Sequence, residues 1–167
     1  MSTAQAPDVD RLRAAVEAVC DPELPPLTLV DLGILRSVGA EPDGTVVVTV
    51  TPTYSGCPAV EYIEDEIART LEANDCDRFR VERSFTPAWT TDWITEDGRR
   101  KLIEIGIAPP GPSTGPVPVP LGRRPAIPCP RCGSADTEEI SRFGSTACKA
   151  LYRCRSCTEP FDSFKAI

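Results

Sequence analysis

Histidine is absent from the 167 residues. This excludes imidazole as a general base, a proton shuttle or a metal ligand. Any metal must be held by thiolates or oxygens. No apolar run reaches the length of about 18 residues that a spanning helix needs, so no membrane segment is expected. The opening Met1-Ser2-Thr3-Ala4-Gln5 has no basic stretch leading into an apolar core, so no secretory signal is expected and the protein is read as cytoplasmic. Positive charge is in short supply, with 18 Lys+Arg against 25 Asp+Glu and a net charge of -7. That argues against a nucleic-acid partner bound by phosphate neutralisation.

What is present is ordinary for a globular protein: 41% hydrophobic and 26% charged residues. The length suits one domain with a second, small one. Eight cysteines stand out. Disulfides are rare in cytosolic chains, so metal ligation plus some free thiols is the better reading.

Proline marks the boundary. Eight of the 20 residues from Pro109 to Pro128 are Pro. Such a stretch lacks backbone donors and favours extended conformations, which predicts a semi-rigid linker over 109–128. It separates an expected domain over 1–108 from another over 129–167. Residues 1–124 carry a net -8 and residues 125–167 a net +1 before any metal is bound.

The first domain reads as mixed α/β. Val9, Leu12, Val16 and Val19 recur at helical spacing. Strands are predicted at 32–38 and 45–51 around Pro42-Asp43-Gly44. Val46, Val48 and Val50 share one face. Val60, Ile63, Ile67 and Leu71 mark a second helix, and Phe79, Val81 and Phe85 a third strand. Thr95 caps a third helix, with Glu96 and Asp97 in its first turn and Gly106 at its end. The order predicts a small sheet with helices packed on it. The tail instead offers three short strands, at Thr137–Phe143, Ala150–Arg153 and Phe161–Lys165, and few apolar residues. A unit of about 40 residues seldom folds without a metal or disulfides.

Cys129-x-x-Cys132 and Cys154-x-x-Cys157 are two pairs separated by 21 residues. The spacing has the form of a zinc ribbon. Four thiolates fill a tetrahedral ion and leave no open position, so the site is structural. Zn2+ suits it best; iron in a rubredoxin-like centre, and disulfides or idle thiols, are the alternatives. Cys148 lies outside both pairs and is read as a packing thiol.

Cys57 stands in Thr51-Pro52-Thr53-Tyr54-Ser55-Gly56-Cys57-Pro58, between a strand and the second helix. Pro58 suits the first helical position, which sets Cys57 at or beside the N-cap. A thiol there feels the positive helix end, which favours thiolate; Glu61, Glu64, Asp65 and Glu66 partly oppose this. Such a thiolate binds soft metal or attacks an electrophile. The alternative is a cysteine that merely fills space. Cys20 and Cys76 are read as structural or incidental. Trp89 and Trp93 lie in a non-periodic stretch, for which core packing and a partner surface are both open.

Asp21-Pro22-Glu23 followed by Leu29-Val30-Asp31-Leu32-Gly33-Ile34 resembles the opening of the FeS-assembly-P family, the SufT-like metal–sulfur cluster biosynthesis proteins. The Thr51–Pro58 segment looks like that family's cysteine loop. Phe85–Pro110, Phe143–Lys149, Glu159-Pro160-Phe161 and the four-cysteine tail are similar to one branch, the D subunits of bacterial phenylacetyl-CoA epoxidase systems. The resemblance implies an α+β fold: a small mixed α/β sandwich of the iron–sulfur cluster assembly type plus a small β zinc ribbon. It implies an accessory protein and not an enzyme. Cys57 matches the family's functional cysteine and would bind iron or an Fe–S cluster transiently, across a homodimer if more ligands are needed. Asp21 and Glu23 are expected near it as loop-ordering or metal-handling groups. The implied partners are epoxidase components, chiefly the [2Fe–2S] reductase subunit, with the di-iron oxygenase as a second client. A structural subunit bridging oxygenase and reductase, and an electron carrier with iron at the four cysteines, are the rival readings.

Overall fold

The computed structural model describes residues 7–54, 56–111, 113 and 126–167. Most of the expected Pro-rich linker, at 112 and 114–125, lies outside the described residues, as does Ser55. The chain divides into two compact units, Met1–Trp89 and Thr90–Ile167.

In the first unit, α1 (Val9–Glu17) starts at Asp8, whose carboxylate accepts from Arg11 N. It buries Leu12 and Val16, as their spacing dictates. β1 (Leu35–Ala40) and β2 (Val46–Val50) form an antiparallel pair. The predicted strand at 32–38 starts later than expected. Residues 29–34 instead turn around Gly33, at φ 67°, with Ile34 N donating to Leu29 O. α2 (Ala59–Ala73) follows and buries Val60, Ile63, Ile67 and Leu71. It leads to β3 (Phe79–Arg83), which pairs with β2 in parallel. The sheet order is β1-β2-β3. Val46, Val48 and Val50 are fully buried on one face, as alternation requires.

In the second unit, a short 3-10 turn at Thr91–Trp93 precedes α3 (Glu96–Glu104). The Thr95 hydroxyl accepts from Gly98 N at 3.0 Å, the expected N-cap. β4 (Ile107–Ala108) then joins β5 (Thr137–Ser141), β6 (Lys149–Cys154) and β7 (Pro160–Phe164) in one sheet of order β4-β7-β6-β5. The sequence predicts all three tail strands but not the pairing of β4 with β7. That pairing places α3 and β4, which the sequence assigns to 1–108, in the same unit as the four cysteines. Ile107 lies opposite Asp162 and Ala108 opposite Ser163, so main-chain pairing makes the connection. The carbonyl of Ile167 also accepts from Thr91 N at 3.1 Å and from the Thr90 hydroxyl at 2.9 Å. No helix among the described residues is long and apolar enough to cross a membrane.

Candidate functional site: a cysteine loop and a four-thiolate centre

The sheet of the first unit brings three loops to one end. β1 is antiparallel to β2, so Leu35 lies beside Val50. β3 is parallel to β2, so Arg83 lies there too. Three segments therefore meet: 29–34 entering β1, 51–58 leaving β2, and 84–89 leaving β3. Hydrogen bonds fix them. Thr51 N donates to Ile34 O at 2.8 Å, Ser84 N to Val50 O at 2.9 Å, and the Trp89 indole N–H to Leu32 O at 2.9 Å. Trp89 is buried at 4% exposure, which decides its role as core rather than partner surface.

Cys57 sits on the middle loop. The residue is half-buried, neither sealed nor fully exposed. Pro58, at φ -66°, is the N-cap residue of α2, so Cys57 lies one residue outside the cap. Its carbonyl accepts from Val60 N at 3.2 Å, and its own N–H points at Tyr54 O, 3.4 Å away. Among the described residues, no side chain caps this helix. Gly56 has φ +151°, a backbone that favours glycine, and a Cβ there would meet nothing within 4 Å. The glycine thus serves the bend rather than a close approach. Of the acidic groups that the sequence sets against Cys57, Glu64 is matched by Arg83, whose guanidinium grips both its oxygens at 2.5 and 2.6 Å.

Asp21 bonds to its own loop. It is 7% exposed, and one carboxylate oxygen accepts from Glu23 N at 2.8 Å and Leu24 N at 3.0 Å. Glu23 is exposed, with its N–H held by that carboxylate. Asp31 does a similar task next door: it accepts from Thr28 N at 2.9 Å while Asp31 N donates to the Thr28 hydroxyl at 3.1 Å. This reciprocal pair shapes the turn; the sequence reading does not single it out, although Thr-x-x-Asp is its signal. Asp21, Glu23 and Cys57 do not form one ligand set. Among the described residues, a single group of three or more Cys, Asp or Glu side chains converges as ligands, and it is Cys129, Cys132, Cys154 and Cys157.

Those four Sγ atoms lie within 4.8 Å of one another. Cys129 and Cys157 are 3.8 Å apart, Cys132 and Cys154 3.5 Å. A regular tetrahedron with metal–sulfur bonds of about 2.3 Å has edges of about 3.8 Å, so the donor set fits a four-coordinate ion. The Cys157 N–H reaches Cys154 Sγ at 3.4 Å and leads the effects that bring that thiol down to about 6. The Ser134 N–H also lowers Cys132, but the neighbouring thiols, Cys154 foremost, outweigh it and push Cys132 up to about 12. Four thiolates so close need a cation. The site is also the core of its unit: Cys129 and Cys154 pack with Ala108 and Phe161, and Tyr152 stacks on Phe161 at 5.8 Å.

None of the eight cysteines forms a disulfide. Cys20 is exposed, its thiol 3.7 Å from Ala18 O. Cys76 is buried, and burial pushes its thiol up. Cys148 is buried with its sulfur 3.0 Å from the Thr146 hydroxyl.

Residues 10–77 match the family described as iron-sulfur cluster assembly protein, and residues 113–165 the PaaD zinc beta ribbon domain. Over all of this chain and 98% of the other, it is 46% identical to an Escherichia coli (strain K12) protein named as the D component of a "Putative 1,2-phenylacetyl-CoA epoxidase". The chain belongs to the PaaD family. A second relative, the Fe-S protein maturation auxiliary factor YitW of Bacillus subtilis (strain 168), is 34% identical over 59% of this chain and 93% of its own length. Among solved structures, a domain of unknown function (DUF59) from Bacillus anthracis matches with a TM-score of 0.51 and 29% identity, covering 56% of this chain and 90% of that one. PaaD membership accounts for the two parts together, since the auxiliary factor and the DUF59 domain each cover little more than half of the chain.

Proposed function

We propose that the chain is an accessory maturation factor of a phenylacetyl-CoA epoxidase system, and that it assists insertion of iron or an Fe–S cluster into the [2Fe–2S] reductase component. One observation carries this reading. A single half-buried cysteine stands on the loop before α2, while the four cysteines able to satisfy a metal converge elsewhere. One thiolate holds a soft metal weakly, which suits cargo that must leave; four hold it permanently. The names of the relatives point the same way: one is an epoxidase component, another a maturation auxiliary factor.

In this reading Cys57 is the ligand to the cargo, and a second copy supplies further thiolates where a cluster is carried. Asp21 orders the loop that precedes the Leu29–Ile34 turn and does not itself bind metal. Zinc is the resident ion of Cys129, Cys132, Cys154 and Cys157, where it supplies folding energy and no chemistry. The factor acts in the cytoplasm and performs no catalysis of its own. The test is co-expression of the reductase with wild-type chain or with Cys57→Ser. Reduced [2Fe–2S] content in the reductase beside the variant supports delivery. Unchanged content refutes it and leaves a structural bridge between reductase and oxygenase.

A further inference from the structure

The bend after β5 holds the most exposed large apolar side chain among the described residues. Phe143 is 72% exposed and Ile140 52%. Ile140 falls where the β5–β6 register shifts, between Glu139 and Ser141. Such an irregularity re-aims a side chain and ends regular pairing. The Lys165 ammonium lies 4.6 Å from the centre of the Phe143 ring while donating to Ala147 O at 2.7 Å. Arg142 is exposed and has no hydrogen bond or ion pair among the described residues.

This loop is built, not slack. The Ser141 hydroxyl accepts from Phe143 N at 3.1 Å and donates to Phe143 O at 2.9 Å. Gly144 N donates to Lys149 O at 2.8 Å, and the Ser145 hydroxyl donates to Asp162 at 3.0 Å. Lys149 is only 5% exposed, with its ammonium 3.8 Å from the same Asp162 oxygen. A Cβ on Gly144 would sit 2.8 Å from the other oxygen of Asp162, so a larger residue there would displace this carboxylate. Burying an ion pair is a poor route to stability. Here the pair, buried at Lys149 and half-buried at Asp162, fixes a loop that holds a phenyl ring in water. A preorganised aromatic loses little entropy on binding, and that is the character of an interface anchor.

The charge at this face selects the partner. Arg153 and Arg155 are both matched to Glu138, and Lys149 to Asp162. Arg142 and Lys165 are the cations left beside the exposed ring. We propose that Ile140, Arg142, Phe143 and Lys165 form a docking face for an acidic protein surface with an apolar pocket that receives the Phe143 ring. Two such cations on a chain of net charge -7 are too few for a nucleic-acid site. The choice of the reductase component as the binding probe rests on the function proposed above.

The test is calorimetric titration of the zinc-loaded full chain into purified reductase component, with Phe143→Ala, Arg142→Glu and Cys57→Ser beside wild type. Zinc content and circular dichroism verify that each variant is folded. The expected result is binding about tenfold or more weaker for Phe143→Ala. Arg142→Glu weakens binding at low salt by a factor that shrinks as salt rises, and Cys57→Ser binds as wild type. Wild-type affinity in both Phe143→Ala and Arg142→Glu overturns the docking face, and Cys57-dependent loading of the reductase then leaves the maturation role standing. Absence of wild-type binding overturns the face and its partner together. A dimer in sedimentation that Phe143→Ala dissolves, or a single-stranded RNA probe whose binding these variants abolish, also overturns the assignment, because the occupant is then a second copy or a nucleic acid.

Discussion

The Trp89 indole N–H donates to the main-chain carbonyl of Leu32 at 2.9 Å, and both residues are buried. This bond ties the segment after β3 to the turn before β1. Trp89→Phe keeps most of the apolar contact and strands the carbonyl, at a cost of about 1–3 kcal/mol. Trp89→Ala also opens a cavity and costs about 3–5 kcal/mol. Urea denaturation should show the midpoints in the order wild type, Phe, Ala. Equal midpoints for Phe and wild type would remove the hydrogen bond from the account.

Asp21 separates loop order from metal handling. Its carboxylate caps Glu23 N and Leu24 N, and Asn offers an oxygen of the same reach. Asp21→Asn is expected to keep near-native stability and client loading. Asp21→Ala should lose about 1–2 kcal/mol, in the range of a lost cap. Loss of loading in a fully stable Asp21→Asn variant would show that the charge itself serves the cargo.

The thiolate centre and the small core of the second unit are one structure, because Cys129 and Cys154 pack directly on Ala108 and Phe161. Metal removal should therefore melt the sheet, with a loss of roughly 10 kcal/mol. Titration with a thiol-binding mercurial should release one zinc per chain. Hydrogen exchange should then lose protection over β5, β6 and β7 while α2 and β2 keep theirs. Retained protection in the metal-free ribbon strands would contradict this.

Acid should weaken the fold from the surface. Side-chain hydrogen bonds from Arg80 to Glu41, from Arg100 to Asp97 and from Arg155 to Glu138 hold these three carboxyls below their ordinary values. A folded value below the unfolded one means that the unfolded chain takes up protons first as pH falls. The stabilisation is complete above the unfolded value, about 4, and is lost as pH drops through the folded values. Thermal melts should thus show no contribution to pH dependence from these groups at pH ~6–8 and a falling midpoint below pH ~4. High salt should reduce the effect, since the pairs are solvated. A midpoint that rises on acidification would reverse the sign.

Much of this is legible in the sequence because the signals are local. The 3.6-residue recurrence of Val60, Ile63, Ile67 and Leu71 yields α2, the alternation of Val46, Val48 and Val50 yields the buried face of β2, and Thr95 caps α3. The two Cys-x-x-Cys pairs foretell the converging thiols because each turn is short. What escapes is non-local. Two residues, Ile107 and Ala108, add a parallel strand to a sheet whose partner β7 lies far along the chain, at Pro160–Phe164. So short a strand has no periodicity to read. The Asp162 carboxylate under Gly144 is equally silent, since it rests on packing between β7 and a distant bend. The Cys57 loop is found by its residues, but its meeting with the Leu29–Ile34 turn depends on strand order.

The central claim is that the Cys57 sulfur hands over iron or a cluster. The most direct measurement is transfer in vitro: chain reconstituted anaerobically with iron and sulfide, mixed with apo-reductase, and followed by the visible circular dichroism of the [2Fe–2S] centre. The account predicts that wild-type chain accelerates the appearance of the reductase signal and that Cys57→Ser, with zinc still bound at the four ribbon cysteines, does not. Equal acceleration by the two proteins would contradict it.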